Sequence, residues 1–246
     1  MSLSSANRPL SDVPSALLDD LATANRILAH YEVLDGYGHV SVRHPSRPDH
    51  YLLSRSRAPE LITADDIMAF DQDSNVVGND DRKPYIERFI HGEIYRARPD
   101  VHAIVHSHSP SVVPFTASSV QLRPICHMAG FLSGGAPVFD IRTRFGTTDL
   151  LIRNCDHGEE LAKTLGTRNV ALMRGHGFVA VGATVQMAVY RAMYTETNSA
   201  LQQKAIALGG DIIFLDDAEA ETADAAVSAT VERPWELWKR KAALGS

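Results

Sequence analysis

Two imidazoles stand at alternate positions in Val105-His106-Ser107-His108-Ser109-Pro110, directly behind the apolar run Ala103-Ile104-Val105. In an extended strand alternate side chains leave by the same face, so His106 and His108 project together while Ser107 faces away. A third imidazole, His176, is set between glycines in Arg174-Gly175-His176-Gly177, after a second apolar run, Val170-Ala171-Leu172-Met173. Glu87 lies 19 residues before His106. Three imidazoles and a carboxylate make a donor set for one divalent ion, with Zn²⁺, Mn²⁺ and Fe²⁺ all acceptable to it. A metal-dependent enzyme is the expectation. Taken singly, each motif has an ordinary reading: in a chain with 11 histidines, a hydrogen-bonded surface or core ring and a solvated helix glutamate.

The elements that must position these residues follow from periodicity and breakers. Pro14 suits a first helical turn, and Leu17, Leu18, Leu21, Ile27, Leu28 and Tyr31 continue a helical stripe. Gly36-Tyr37-Gly38 breaks it and opens a β-rich section: His39–Arg43, Tyr51–Ser54 and Ile67–Phe70, with a turn over Asp71–Asn75. Pro84 is expected to open a helix reaching about Arg98, on which Glu87 and His91, four apart, share a face. His91 would then orient or neutralise the carboxylate. A strand over Ala103–His108, a short helical segment after Pro110, and a Gly-rich loop over Pro124–Asp140 with a short strand near Val138 come next. Leu161–Leu165 reads as helix, and Val170–Val181 as two strand pieces around a Gly175-His176-Gly177 corner. The flanking glycines would permit a tight turn and close backbone approach. A long helix over Thr184–Leu208 ends at Gly209-Gly210.

No repeat, low-complexity tract or clear linker divides the 246 residues, so a single α/β domain is expected. Residues 1–11 read as a loose polar leader and 217–246 as a C-terminal helical extension anchored by Trp235 and Trp238. The net charge of −6 carries no basic footprint, which argues against nucleic acid as a partner. No apolar run approaches the ~20 residues of a membrane span, and the N-terminal stretch lacks a signal-peptide pattern. With only Cys126 and Cys155, two reduced thiols in a cytoplasmic protein are expected.

From Gly36 to about Gln203 the chain resembles the class II aldolase/adducin family. The resemblance is carried by Gly38-His39-Val40-Ser41-Val42-Arg43, Ile67–Asp71, Glu87 with Arg88 and His91, Arg98-Pro99-Asp100, the His106/His108 pair, and Gly175-His176-Gly177 before a long helix. It implies a three-layer α/β/α fold with a mostly antiparallel central sheet, and assembly as a homotetramer. It also implies one divalent ion per chain on His106, His108 and His176, with Glu87 as ligand or acid/base. Retention of all four residues argues against the non-catalytic adducin branch.

The sugar-phosphate aldolases of that family cradle phosphate with small donors and glycine, and this chain departs from them. His39 stands where an Asn is expected, and Arg57, in Ser54-Arg55-Ser56-Arg57-Ala58-Pro59, where a Gly is expected. Tyr85 and Ile86 replace a Ser-Ser pair. A phosphate cup is thus exchanged for a site suited to a flat substrate bearing a carboxylate, which an arginine can clamp. The departures resemble the branch that decarboxylates hydroxylated aromatic dicarboxylates, with His39, Ser56 and Arg57 as substrate-binding residues. Glu87, His39 and Tyr194 are the candidate proton donors. His127 is a further candidate for the site, whereas Tyr190 and Glu196 read as packing and surface positions. The alternative is aldol cleavage of a small hydroxy acid or sugar derivative.

Overall fold

The computed structural model describes residues 10–244, so the leader expected over 1–11 lies outside the described residues except for its last two. Seven strands form one sheet: β1 (His39–Arg43), β2 (His50–Ser54), β3 (Ile67–Asp71), β4 (Ala103–Ser107), β5 (Val138–Phe139), β6 (Val170–Met173) and β7 (Gly177–Gly182). Their spatial order is β3-β2-β1-β4-β7-β6-β5, antiparallel throughout except for the parallel β5–β6 pair.

Alternation along the strands divides the interior into two cores. Val40, Val42, Leu52, Ala103, Val105, Leu172, Phe178 and Ala180 face one side, where helices α1 (Ser15–His30) and α6 (Val185–Leu208) pack. Tyr51, Leu53, Ile104, Ala171, Met173, Val179 and Val181 face the other. There they meet helices α2 (Phe89–Ala97) and α5 (Cys155–Leu165). Each fully buried aliphatic of this kind contributes about 1.5–3 kcal/mol, which makes the two-sided sheet the stable frame of the molecule. The three-layer α/β/α arrangement is as expected. Between the strands run two four-residue helices, α3 (Val113–Thr116) and α4 (Arg142–Phe145), the second not foreseen from the sequence. The C-terminal stretch supplies α7 (Asp217–Ser228) and α8 (Glu232–Leu244). Trp235 and Trp238 are buried there as α8 packs on α1 and α6. Both cysteines are free. Among the described residues no helix is long and apolar enough to cross a membrane.

One element differs from expectation in a way that matters for the site. The segment at Pro84 does not open a helix. Ser56 N–H donates to Lys83 C=O and Arg55 bridges Pro84, so this stretch runs extended beside the end of β2. A 3-10 turn over Ile86–Arg88 follows, with Glu87 at φ −89° and ψ 19°, and α2 begins only at Phe89. Glu87 and His91 therefore do not share one regular helical face.

Candidate metal centre and active site

His106 leaves β4 on the α2 side of the sheet, His108 follows two residues later, and His176 sits in the corner between β6 and β7. Gly175 makes that corner with a φ of 64°. A side chain at Gly177 would strike the Ser107 carbonyl, so only glycine lets β7 approach β4 this closely. Glu87 arrives from the 3-10 turn. One ligand atom from each of Glu87, His106, His108 and His176 lies within 4.8 Å of the others. That span can contract onto a single ion with bonds of about 2.0–2.2 Å.

Hydrogen bonds behind the rings set which nitrogen faces inward. His106 Nδ1 donates to the Phe178 carbonyl at 3.1 Å, and His176 Nδ1 to the Leu150 carbonyl at 3.0 Å. Both rings then carry their proton at Nδ1 and turn a bare Nε2 to the centre, the tautomer a metal ligand requires. His106 Nε2 is buried with no hydrogen-bond partner. His176 Nε2 lies 3.0 Å from His108 Nε2, a close approach of two ring nitrogens that a proton on one of them, or a cation shared by both, would stabilise. Glu87 Oε1 is tied to the Ile152 backbone N–H at 3.0 Å. Its Oε2 lies 3.5 Å from His106 Nε2 and 3.4 Å from His176 Nε2. The donor set fits a divalent ion.

The electrostatics agree. Burial alone would raise the Glu87 carboxyl, but the His106 and His176 rings hold it far below the carboxylate range. Burial, followed by the charges of His106 and His176, pushes His108 down to about 3. Burial also lowers His176, yet the Glu87 carboxylate outweighs it and the net shift is upward. This centre disfavours a proton on His108 and attracts positive charge at the Glu87 carboxylate.

A cavity of about 380 Å³ opens beside the centre, lined by Tyr37, His39, Ser56, Arg57, Tyr85 and Ile86 among others, with Glu87 and His108 at its metal-facing end. The structure thus brings His39, Ser56 and Arg57 together with the four-residue cluster. Arg57 Nη1 donates to Asp66 Oδ2 at 2.9 Å, and Arg55 Nε donates to Asp66 Oδ1 at 2.6 Å. Arg55 does not line the cavity. Arg57 does, and its ion pair uses one edge of a five-donor fork. The Tyr85 ring packs 4.6 Å from His39, and its hydroxyl donates to the Arg57 carbonyl. The aromatic thereby forms one wall of the cavity.

His91 takes a different place from the one expected. Its Nε2 meets His39 Nδ1 at 2.6 Å and its Nδ1 meets Ser41 Oγ at 2.6 Å. Glu87 is oriented by the Ile152 N–H instead, because the 3-10 turn rotates it off the face that carries His91. Burial, then the neighbouring rings, lowers His39 well below its ordinary value, and burial takes His91 to about 3. Ser41 Oγ continues to Tyr95 Oη at 2.8 Å. Sequence reasoning missed Ser41 and Tyr95. The signal was there in the period of two linking His39 to Ser41 and the four-residue step from His91 to Tyr95. Tyr194 packs against Tyr190 and Trp238 and does not line the cavity. His127 is exposed.

Residues 19–203 match the family described as Class II Aldolase and Adducin N-terminal domain. The chain is 41% identical to a protein named Decarboxylase tropJ from Talaromyces stipitatus, over 89% of this chain and 91% of that one. It is 31% identical to a 3,4-dihydroxyphthalate decarboxylase from Arthrobacter keyseri, over 87% and 89%. Among solved structures, an aldolase II superfamily protein from Pseudomonas syringae superposes with a TM-score of 0.78 at 22% identity, over 99% and 96% of the two chains.

Proposed function

The chain belongs to the class II aldolase/adducin family and is a lyase, and from that premise we propose that it decarboxylates a hydroxylated aromatic carboxylate at a divalent metal centre. The observation that carries this reading is the company the metal cluster keeps. One cavity joins Glu87 and His108 to His39, Arg57, Tyr85 and Ile86, a lining of donors and flat or apolar walls in place of a phosphate cup. His106, His108 and His176 are the proposed metal ligands, and Glu87, tied at Oε1 and facing two imidazoles at Oε2, is the fourth donor. A set of three nitrogens and one oxygen favours Mn²⁺ or Zn²⁺.

When bound, the ion supplies Lewis acidity where negative charge develops as the bond from ring carbon to carboxylate breaks. The protein's own residues do the rest. Arg57, steadied by Asp66, offers its remaining N–H donors to a substrate carboxylate. Tyr85 and Ile86 confine a planar ring, and the volume of about 380 Å³ suits one ring with its substituents. Assembly as a homotetramer, a cytoplasmic location and one domain across 1–246 belong to the same reading.

The test is a screen of the purified, metal-loaded protein against hydroxylated aromatic mono- and dicarboxylates and short sugar phosphates. Metal-dependent CO₂ release from an aromatic acid is expected. Efficient aldehyde release from a sugar phosphate, with no turnover of aromatic acids, overturns the proposal in favour of an aldolase.

A further inference from the structure

We propose that His39 is a specificity-determining hydrogen-bond donor, held as its Nε2–H tautomer by a buried chain of positioning residues, so that the cavity demands an acceptor oxygen opposite it. The inference rests on the reading of the cavity as the substrate site. The chain runs His39, His91, Ser41, Tyr95, with separations of 2.6, 2.6 and 2.8 Å. All four residues are buried.

Counting protons gives the chain a direction. A neutral imidazole carries one N–H and each hydroxyl one O–H. Among the described residues Tyr95 Oη has Ser41 Oγ as its only hydrogen-bond partner, so the phenol proton has one acceptor to go to. Ser41, accepting there, sends its own proton to His91 Nδ1. His91 then carries its hydrogen on Nε2 and donates it to His39 Nδ1. That leaves the His39 proton on Nε2, at the opposite edge of the ring, where no protein group among the described residues bonds it. The residue lines the cavity. The reverse polarity strands the phenol proton of Tyr95 in the core. A mixed one, with Tyr95 and His91 both donating to Ser41, strands the serine proton. Buried donors without acceptors are the costly outcome in either case.

The same chain limits what His39 can do. Passing its proton outward would draw one proton after another along the line and leave Tyr95 as a phenolate in the interior, where burial raises the phenol well above its ordinary range. His39 therefore binds and orients without supplying the proton that replaces CO₂. A carboxylate or ring oxygen accepts its N–H, whereas a group offering only donors at that place leaves Nε2–H unpaired and is rejected.

The experiment is ¹⁵N NMR of protein labelled at its histidines, because bare and protonated ring nitrogens resonate far apart. In the unmodified protein, His39 and His91 are both expected to show a bare Nδ1 and a protonated Nε2. Salicylate added to the Zn²⁺-loaded protein is the probe, and its binding is read from its own line broadening. The His39 Nε2–H proton is expected to move downfield as salicylate binds. Ser41→Ala should convert both rings to a mixture of tautomers and weaken salicylate binding by roughly threefold to tenfold, the scale of one neutral hydrogen bond. A protonated Nδ1 on either ring of the unmodified protein overturns the proposal, as does an unmoved Nε2–H with salicylate bound. The tautomer is read without turnover: an Nε2–H His39 in a protein that decarboxylates no aromatic acid overturns the proposed activity and leaves the assigned hydrogen-bond direction standing.

Discussion

His39 and His106 are direct partners across the β1–β4 ladder, with their rings 5.1 Å apart on the same face of the sheet. Backbone hydrogen bonding thus fixes the spacing between the cavity's donor and the innermost metal-site imidazole. A slip of one residue in that register would send His39 and Ser41 into the α1–α6 core and dismantle both arrangements at once.

Loss of one imidazole should empty the metal centre. His108→Ala is expected to retain only a small fraction of the roughly one ion per chain expected of the unmodified protein, since three donors hold an ion far less well than four. Elemental analysis after gel filtration measures it. Full occupancy in the variant refutes the assigned ligand set.

Arg57→Ala should reduce kcat/KM on a carboxylated aromatic by about thirtyfold or more with metal content unchanged. Losing one charged partner of a substrate carboxylate costs about 2 kcal/mol or more, at ~1.4 kcal/mol per factor of ten. Because Asp66 already holds one edge of the guanidinium, the low end of that range applies. An unaltered kcat/KM would remove Arg57 from the substrate site.

His39→Asn should impair turnover without creating a sugar-phosphate aldolase. Tyr85, whose hydroxyl is anchored on the Arg57 carbonyl, and Ile86 still wall the cavity. Steady-state assays on both substrate classes decide it, and gain of aldol cleavage by this single change would contradict the role given to Tyr85.

Asp66→Asn should destabilise the fold by about 1–2 kcal/mol at neutral pH, with the partly exposed arginines discounting the ion pairs. Burial raises the Asp66 carboxyl, but Arg55, Thr63 and Arg57 outweigh it and hold it well below its unfolded value. The stabilisation is therefore full above an unfolded pKa of about 4 and is lost as pH falls through the lower folded value. Urea denaturation at pH 7 and near pH 2 should show the gap between variant and parent closing in acid. A gap independent of pH speaks against the ionised carboxylate as its source.

Asn198→Leu should cost about 1–3 kcal/mol, because it leaves two partly buried backbone groups without their side-chain partner. The Asn198 side chain accepts from the Ile125 N–H at 3.0 Å and donates to the Arg123 carbonyl at 2.8 Å. One helical turn on, Gln202 does the same for Arg123 N–H and the Gln121 carbonyl. Hydrogen exchange should report loss of protection at the Ile125 amide, and retained protection would show that another acceptor serves it.

Residue type and local period were enough to determine the metal-ligating candidates, strand β1 to the residue, and the turn of Ser107 to the face opposite His106 and His108. All of these depend on alternation along one strand or on chemistry at one position, which the sequence displays directly. The tertiary structure alone decided what each group faces. Glu87 left the face of His91 because a backbone bridge from Arg55 to Pro84 holds the preceding segment extended, and such a contact joins residues 29 positions apart. His91 found His39 and Ser41 because α2 crosses β1 on that side of the sheet, a packing choice that helical periodicity leaves open. Arg57 acquired Asp66, and His106 and His176 acquired the carbonyls that set their tautomers, through contacts between distant segments. Sequence carries the identity of donors and acceptors, whereas their pairing is settled by which backbone groups and side chains the folded layers bring within hydrogen-bonding distance.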